Sequence, residues 1–180
     1  MADLRTDIKR WMLKRKYGKS PQNRSFTSVK KASRMGVLYR ADQEYSHDLI
    51  KKLSFWCEEN HFRLFAMGFV NEKELIGDYT PHRNSDFFCK KHLNRWKLPE
   101  KSEFLRYSAE KMDYLLNLYC EPCLPLIGLS SFSEANFRVG PHLPRYSFGF
   151  DLMLDTKTKD VLVFTDEVLN YLKTFGDGEI

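Results

Sequence analysis

The sequence lacks a long apolar segment. No run of apolar residues approaches the roughly 20 that a helix needs to span a bilayer. The segment 1–20 carries a charge every few positions and has no continuous apolar stretch, so it does not resemble a secretory signal. We therefore expect a protein without a transmembrane segment that stays in the cytoplasm, a reducing compartment.

Cysteine is scarce, and the motifs of common cofactor sites are missing. Four irregularly spaced cysteines are too few for a disulfide scaffold. The five histidines lack the spacing of metal ligands, so we expect no metal site. The tripeptide GKS at 18–20 lacks the earlier glycine of a phosphate-binding loop, and no GxGxxG follows the first predicted strand. The sequence therefore predicts no bound cofactor.

Acidic residues are nearly missing from the amino-terminal part of the chain. Residues 1–40 carry 12 Lys or Arg against Asp3 and Asp7, a net charge of +10, whereas the remaining residues carry a net charge of −5. The whole chain of 180 residues is 42% hydrophobic, which is typical of a folded domain. We therefore predict a basic helix and linker at 1–33, followed by a single domain at 34–180.

The basic arm has the pattern of an amphipathic helix. Leu4, Ile8, Trp11 and Met12 follow the i, i+4, i+7, i+8 rule. The remaining surface of this predicted helix carries five cations: Lys9, Arg10, Lys14, Arg15 and Lys16.

This pattern has three interpretations. The helix packs on the domain through Leu4, Ile8 and Trp11, or it contacts nucleic acid with Trp11 or Tyr17 stacking on bases, or it lies on an anionic membrane surface. We favour packing, and the three are not exclusive.

The rest of the chain alternates short apolar runs with helical patterns. The predicted strands cover 35–41, 62–71, 87–94, 112–119, 136–140 and 150–155. This alternation is typical of an α/β fold, and we predict a three-layer, mostly parallel open sheet of the Rossmann-like kind. We expect strands 35–41, 62–71 and 112–119 to be adjacent, buried and parallel, and strand 87–94 to lie at an edge.

Several polar residues follow the predicted strands, where open α/β sheets bind their ligands. The candidates are Asp42, Asn71, Glu121, Arg138 and His142. Arg138 and His142 bracket Gly140 and could hold an anion. The alternative, which we favour, is that Arg138 pairs with a carboxylate and that His142 occupies a turn.

The motif Cys120-Glu121-Pro122-Cys123 lies between a predicted strand and a predicted helix, as the CxxC of thioredoxins does. A thiol at a helix amino terminus has its thiolate stabilised by the helix dipole. The neighbouring Glu121 acts in the opposite direction, and the apolar run that follows could bury both sulfurs. We predict that Cys120 and Cys123 are reduced and structural.

Much of the chain resembles a small family of bacterial proteins of unknown function. The resemblance rests on the segment LLNLYCEPCLPLIGLSSFSEANFRVG, on FDLMLD, on the closing NYLK and on the strand GVLYRAD. It implies a Rossmann-like domain without an assigned activity. The segment SEANFRVG is also similar to the amino-terminal half of lipopolysaccharide heptosyltransferases, which need a second Rossmann domain that 180 residues cannot contain.

Three functional hypotheses follow, and whether the protein is an enzyme stays open. The first is a non-enzymatic binding or assembly factor whose basic arm contacts an acidic partner such as RNA. The second is a small enzyme, or the remnant of one, that binds a phosphorylated or nucleotide ligand at the carboxyl ends of the strands. The third is a thiol-redox protein that uses Cys120 and Cys123.

Overall fold

In the computed structural model, the strands form one sheet with helices on both of its faces. The structure describes residues 4–17, 29, 31–75, 77, 79, 81, 85–100, 104, 107 and 110–177. The strands are β1 (Arg34–Arg40), β2 (Arg63–Val70), β3 (Ser85–Cys89), β4 (Tyr114–Leu118), β5 (Phe137–Pro141) and β6 (Leu152–Leu154). The helices are α1 (Leu4–Tyr17), α2 (Ser46–Glu59), α3 (Leu124–Phe132) and α4 (Val161–Asp177), with 3-10 helices at Lys90–His92 and Pro144–Gly149.

The sheet has the strand order β3-β2-β1-β4-β5-β6, and all neighbouring strands within the described residues are parallel. At the centre, Val37 of β1 is in register with Ala66 of β2 and with Leu116 of β4. The predicted adjacency of the strands at 35–41, 62–71 and 112–119 is therefore confirmed. The parallel, Rossmann-like fold class is confirmed as well.

The sheet separates two apolar layers, because side chains alternate between the faces of each strand. Val37 and Leu116 belong to the layer that α2 and α4 cover, through residues such as Leu53. Leu38 and Leu115 belong to the opposite layer, which α3 covers. Each of these leucines is fully buried, and such burial contributes about 1.5–3 kcal/mol per side chain.

The edge strand β3 is shorter than predicted. It ends at Cys89 because the backbone N–H of Lys90 donates to the carbonyl of Glu72, and the N–H of Cys89 donates to Nδ1 of His92. These bonds turn the chain into the 3-10 helix. The predicted edge position is confirmed, since β3 is the last described strand on its side of the sheet. Most of the predicted linker before β1 lies outside the described residues.

The topology creates a crevice between the carboxyl ends of β1 and β4. The chain leaves β1 toward α2 on one face, and it leaves the neighbouring β4 toward α3 on the other face. Connections that diverge in this way leave an opening between them, and open α/β sheets bind ligands there. The segments 41–45 and 119–123 border this crevice.

Candidate functional site

Five side chains lie close enough at the crevice to interact electrostatically, and we refer to them as the carboxyl-edge cluster. They are Arg40, Asp42, Tyr45, Cys120 and Cys123. Arg40 makes a bidentate ion pair with Asp42, with Nε donating to Oδ1 at 3.0 Å and Nη2 donating to Oδ2 at 2.7 Å. The backbone N–H of Asn71 also donates to the Asp42 carboxylate. Two predicted strand-end residues, Asp42 and Asn71, are thus brought together.

The ion pair holds both of its partners in their charged forms. Burial disfavours the charged carboxylate, but the hydrogen bonds and charge of Arg40 outweigh it and lower the pKa of Asp42 below its ordinary value. The hydrogen bonds to Asp42 raise the pKa of the Arg40 guanidinium. The two charges cancel, so this pair offers little attraction to an anionic ligand.

Both thiols of the cluster are held in the neutral form. Burial raises the pKa of Cys123 to about 11, and the charge of Arg40 offsets only part of this rise. Burial also raises the pKa of Cys120, and the carboxylates of Asp160 and Glu121 add to the rise. All four cysteines of the chain are free thiols. The thiolate is the reactive species, so this environment favours a structural role over redox chemistry.

The other predicted strand-end residues do not join Asp42 and Asn71. Glu121 is exposed beside Cys120. His142 is exposed at the end of β5, where its Nδ1 lies 3.7 Å from the carboxylate of Asp155. Neither residue converges with Asp42 and Asn71 on a common ligand position.

Arg138 lies inside the protein, beneath α3. It donates from Nε to Oδ2 of Asp151 at 3.0 Å and from Nη2 to Oδ1 at 2.9 Å. Its Nη1 donates to the carbonyls of Ser130 and Phe148, each at 3.2 Å. Burial lowers the pKa of the guanidinium, and Asp151 opposes that change. Its hydrogen bonds join β5, α3 and the following 3-10 helix, so its surroundings are structural.

The helix α1 packs on the sheet domain, but through a different face from the predicted one. Leu4, Ile8 and Trp11 are 74%, 42% and 56% exposed, whereas Leu13 is 2% exposed. Successive helical residues are 100° apart, so Leu13 points away from the stripe formed by the other three. The expectation that Leu4, Ile8 and Trp11 form the packing face is wrong, because Leu13, on the opposite side, is the buried residue among the α1 side chains that the structure describes.

Helix α1 packs against α3 at Gly128. A Cβ atom there would stand 3.5 Å from Cδ2 of Leu13 and 2.6 Å from Cγ of Pro99, so glycine lets both side chains approach α3. A second anchor is electrostatic. Asp7 of α1 accepts from Nη2 of Arg145 at 2.8 Å, and Arg10 also lies 3.4 Å from Asp7. The helix is therefore held at two points.

The solvent side of α1 combines cations with apolar side chains. Lys14, Arg15 and Lys16 are exposed, and Lys9 and Arg10 are partly exposed. The guanidinium carbon of Arg15 lies 5.1 Å from the centre of the Trp11 ring. The α1 surface, as we call it, comprises Leu4, Ile8, Lys9, Arg10, Trp11, Lys14, Arg15 and Lys16.

Replacing Leu13 with alanine should destabilise the protein by about 2–3 kcal/mol, because a buried leucine loses transfer energy and leaves a cavity. Replacing Leu4, Ile8 and Trp11 together should cost less than about 1 kcal/mol, because exposed positions contribute little. Urea unfolding of both variants measures the two free energies. A larger loss in the triple variant would contradict the packing of α1 described above.

Sequence reasoning missed a second group of residues next to α1. The loop 94–100 presents Arg95, Trp96 and Lys97, all of them exposed. The guanidinium carbon of Arg95 lies 5.4 Å from the centre of the Trp96 ring. In the sequence, the indication was the tripeptide RWK, in which a tryptophan lies between two cations. Its proximity to α1 could not be read there, because it depends on the tertiary fold.

A separate cavity of about 760 Å³ opens at the amino edge of the sheet. Its lining includes Arg34, Arg63, Glu58 and His61. His61 has a φ of 60°, in the left-handed region that non-glycine residues rarely adopt. The cavity lies at the opposite end of the strands from the carboxyl-edge cluster, and it mixes cations with Glu58.

A comparison with known protein families matches residues 5–175 to a family of unknown function, DUF6913. The chain belongs to this family. The resemblance to a family without an assigned activity is thereby confirmed, over nearly the whole chain. No curated protein matches the chain significantly. The similarity to heptosyltransferases and the bacterial origin stay predictions.

Family membership leaves the activity of this DUF6913 chain to be inferred from its residues. In the part that the structure describes, no helix is long and apolar enough to cross a membrane. Within those same residues, His, Cys, Asp and Glu form no group of three or more that could hold a metal ion. The α1 surface and the carboxyl-edge cluster are the two candidate functional sites.

Proposed function

We propose that the protein is a binding factor that contacts nucleic acid through the α1 surface. One observation supports this proposal most. Trp11 is more than half exposed and carries Arg15 over its ring, on a helix that Leu13 and Asp7 anchor to the domain. A helix present only to stabilise the fold gains nothing from an exposed tryptophan, which leaves apolar surface in water.

The chemistry of this surface matches a polyanion with flat bases. Lysine and arginine neutralise phosphates and release their counterions, which supplies much of the affinity of nucleic-acid binding. An exposed indole ring stacks on bases, and arginine strengthens that contact. The α1 surface presents both groups on one helix.

A membrane surface is the competing partner for a basic helix with a tryptophan. Such helices insert a wide apolar face at the headgroup boundary. On α1 the exposed apolar stripe contains Leu4, Ile8 and Trp11, and at the next turn it continues into Arg15. Insertion of this stripe would bring a guanidinium toward the acyl chains. We therefore favour nucleic acid, and we treat vesicle binding as an outcome of the test.

The carboxyl-edge cluster supports an enzyme less well. Its arginine and carboxylate neutralise each other, and its thiols are protonated at neutral pH because their pKa values are raised. The proposal therefore places the function at α1 and assigns no catalytic role to this cluster.

The test is a salt titration of binding to fluorescent RNA, in single-stranded and in duplex form, followed by anisotropy. If five cations contact phosphates, the logarithm of affinity should fall with the logarithm of salt concentration with a slope of about −3.5 for single strands. Anionic vesicles of phosphatidylserine and phosphatidylcholine form the second arm. Binding to vesicles without binding to either RNA would overturn the proposal.

A further inference from the structure

A second exposed tryptophan lies beside α1 and is also paired with an arginine. Trp96 is 40% exposed, and Arg95 lies over its ring as Arg15 lies over that of Trp11. The chain has three tryptophans, and the third, Trp56, is buried in the core. Both tryptophans that reach solvent thus belong to α1 and its immediate neighbour.

The loop that carries Trp96 is held by its own hydrogen bonds. Oδ1 of Asn94 accepts from the backbone N–H of Trp96 at 2.9 Å and from that of Leu98 at 3.1 Å. The N–H of Lys97 donates to the carbonyl of Asn94 at 2.7 Å, and Lys97 has a φ of 58°. These bonds fix the turn, so Arg95, Trp96 and Lys97 are presented without a large entropic cost on binding.

A groove of about 470 Å³ separates this loop from α1. Its walls include Met12 and Lys16 from the helix, and Arg95 and Trp96 from the loop. The carboxylate of Glu100 also lies there, and its Oε1 accepts from the side-chain amide of Asn94. The groove is therefore lined by apolar side chains, cations, an aromatic ring and one carboxylate that is already hydrogen-bonded.

A smaller groove of about 330 Å³ lies on the other side of α1, against the 3-10 helix Pro144–Gly149. It is lined by Trp11, Lys14, Arg145 and Phe148, among others. The helical positions of Lys14 and Lys16 differ by about 160° around the axis, so the two grooves flank the exposed stripe of α1. The exposed side chains of Leu4, Ile8, Trp11 and Arg15 form the ridge between the two grooves.

We propose that this pair of grooves binds single-stranded nucleic acid, with unpaired bases stacked on Trp11 and Trp96. The inference rests on the proposed function and names its substrate class. A duplex offers phosphates but keeps its bases stacked on each other, so two exposed indole rings would find no partner there. A single strand offers both groups, because it can splay bases onto aromatic platforms while its phosphates contact lysine and arginine. Charge complementarity requires an anionic partner, and the two exposed indole rings favour a nucleic acid over an acidic protein, which has no bases to stack.

The test compares Trp96→Leu with the unmodified protein on an oligouridylate of about 16 nucleotides and on an RNA duplex of similar length. The single strand should bind the unmodified protein more tightly than the duplex does. Trp96→Leu should weaken binding to the single strand by about 10-fold, since stacking of one base is lost, and should leave binding to the duplex nearly unchanged. Phe55→Leu, at an exposed aromatic position on α2, is the matched control and should change neither affinity.

Intrinsic fluorescence gives a second readout that loss of stability cannot imitate. In Trp11→Phe the remaining exposed tryptophan is Trp96, so quenching by the single strand reports stacking at that ring directly. Quenching together with the selective loss in Trp96→Leu supports the inference. Equal affinity for both RNA forms, or an unchanged affinity of Trp96→Leu, would overturn it while leaving the proposed function intact. Failure of both RNA forms to bind would overturn the proposed function itself.

Discussion

Replacing the five cations of α1 with glutamine should reduce the affinity for single-stranded RNA by roughly a thousandfold at about 50 mM salt. The substituted residues are Lys9, Arg10, Lys14, Arg15 and Lys16. The reason is counterion release, because each lost phosphate contact removes about 0.7 from the slope of log affinity against log salt. The affinity of this variant should therefore depend much less on salt concentration than that of the unmodified protein.

The helix itself should survive this change. Glutamine has nearly the same helix propensity as lysine and arginine, and Leu13 remains in place to hold α1. Arg10 contributes to the anchor at Asp7, but the shorter contact from Arg145 to Asp7 is retained. Circular dichroism and urea unfolding should show a fold close to that of the unmodified protein.

A matched control removes five exposed lysines elsewhere: Lys51, Lys111, Lys157, Lys159 and Lys173. It lowers the net charge by the same amount. If binding depends on the location of the cations, this control should lose no more than about 10-fold in affinity through long-range effects. Equal losses in the two variants would mean that only net charge matters, and the α1 surface would then have no special role.

Replacing Arg138 with methionine should destabilise the protein by about 2–3 kcal/mol, because a charge-assisted bidentate pair is lost and two carbonyls lose their donor. Asp151 would lose a bidentate partner, and the carbonyls of Ser130 and Phe148 would each lose a donor. Methionine fills most of the volume, so the loss is mainly electrostatic. Urea unfolding at neutral pH measures it.

The matched control is Arg40→Met, which removes an arginine from a bidentate pair of similar geometry. The side chain of Arg40 is more exposed than that of Arg138, so its loss should cost about 1 kcal/mol. Binding to RNA should be unchanged in both variants. A stable Arg138→Met protein that had lost a binding activity would restore the interpretation of Arg138 as a ligand residue.

The sheet could be predicted from the sequence because its signals are local. The apolar runs around Val37, Ala66 and Leu116 are short, bounded by turns and separated by helical patterns, which predicts parallel strands buried on both faces. The end of β3 could not be predicted, because the bond from Lys90 to Glu72 joins residues that are distant in sequence.

The packing face of α1 was predicted wrongly for a physical reason. Periodicity identifies the side of a helix with the most apolar residues, and on α1 that side contains Leu4, Ile8 and Trp11. The side that packs is chosen instead by fit to Gly128 and Pro99, where one leucine is sufficient. That fit depends on residues of α3 and of the loop 94–100, so it could not be predicted from the apolar pattern of α1 alone.

Because α1 packs against residues that lie much later in the sequence, its position matters for the newly made chain. Leu13 is translated more than a hundred residues before Gly128 and Arg145, which anchor its helix. Until those residues leave the ribosome, α1 is a charged peptide with neither groove beside it, in surroundings rich in ribosomal RNA. Its cations can contact phosphates at that stage, but the paired tryptophan platforms do not yet exist. On the function proposed here, recognition of unpaired bases would begin only after translation has passed Arg145 and the carboxyl-terminal half has folded.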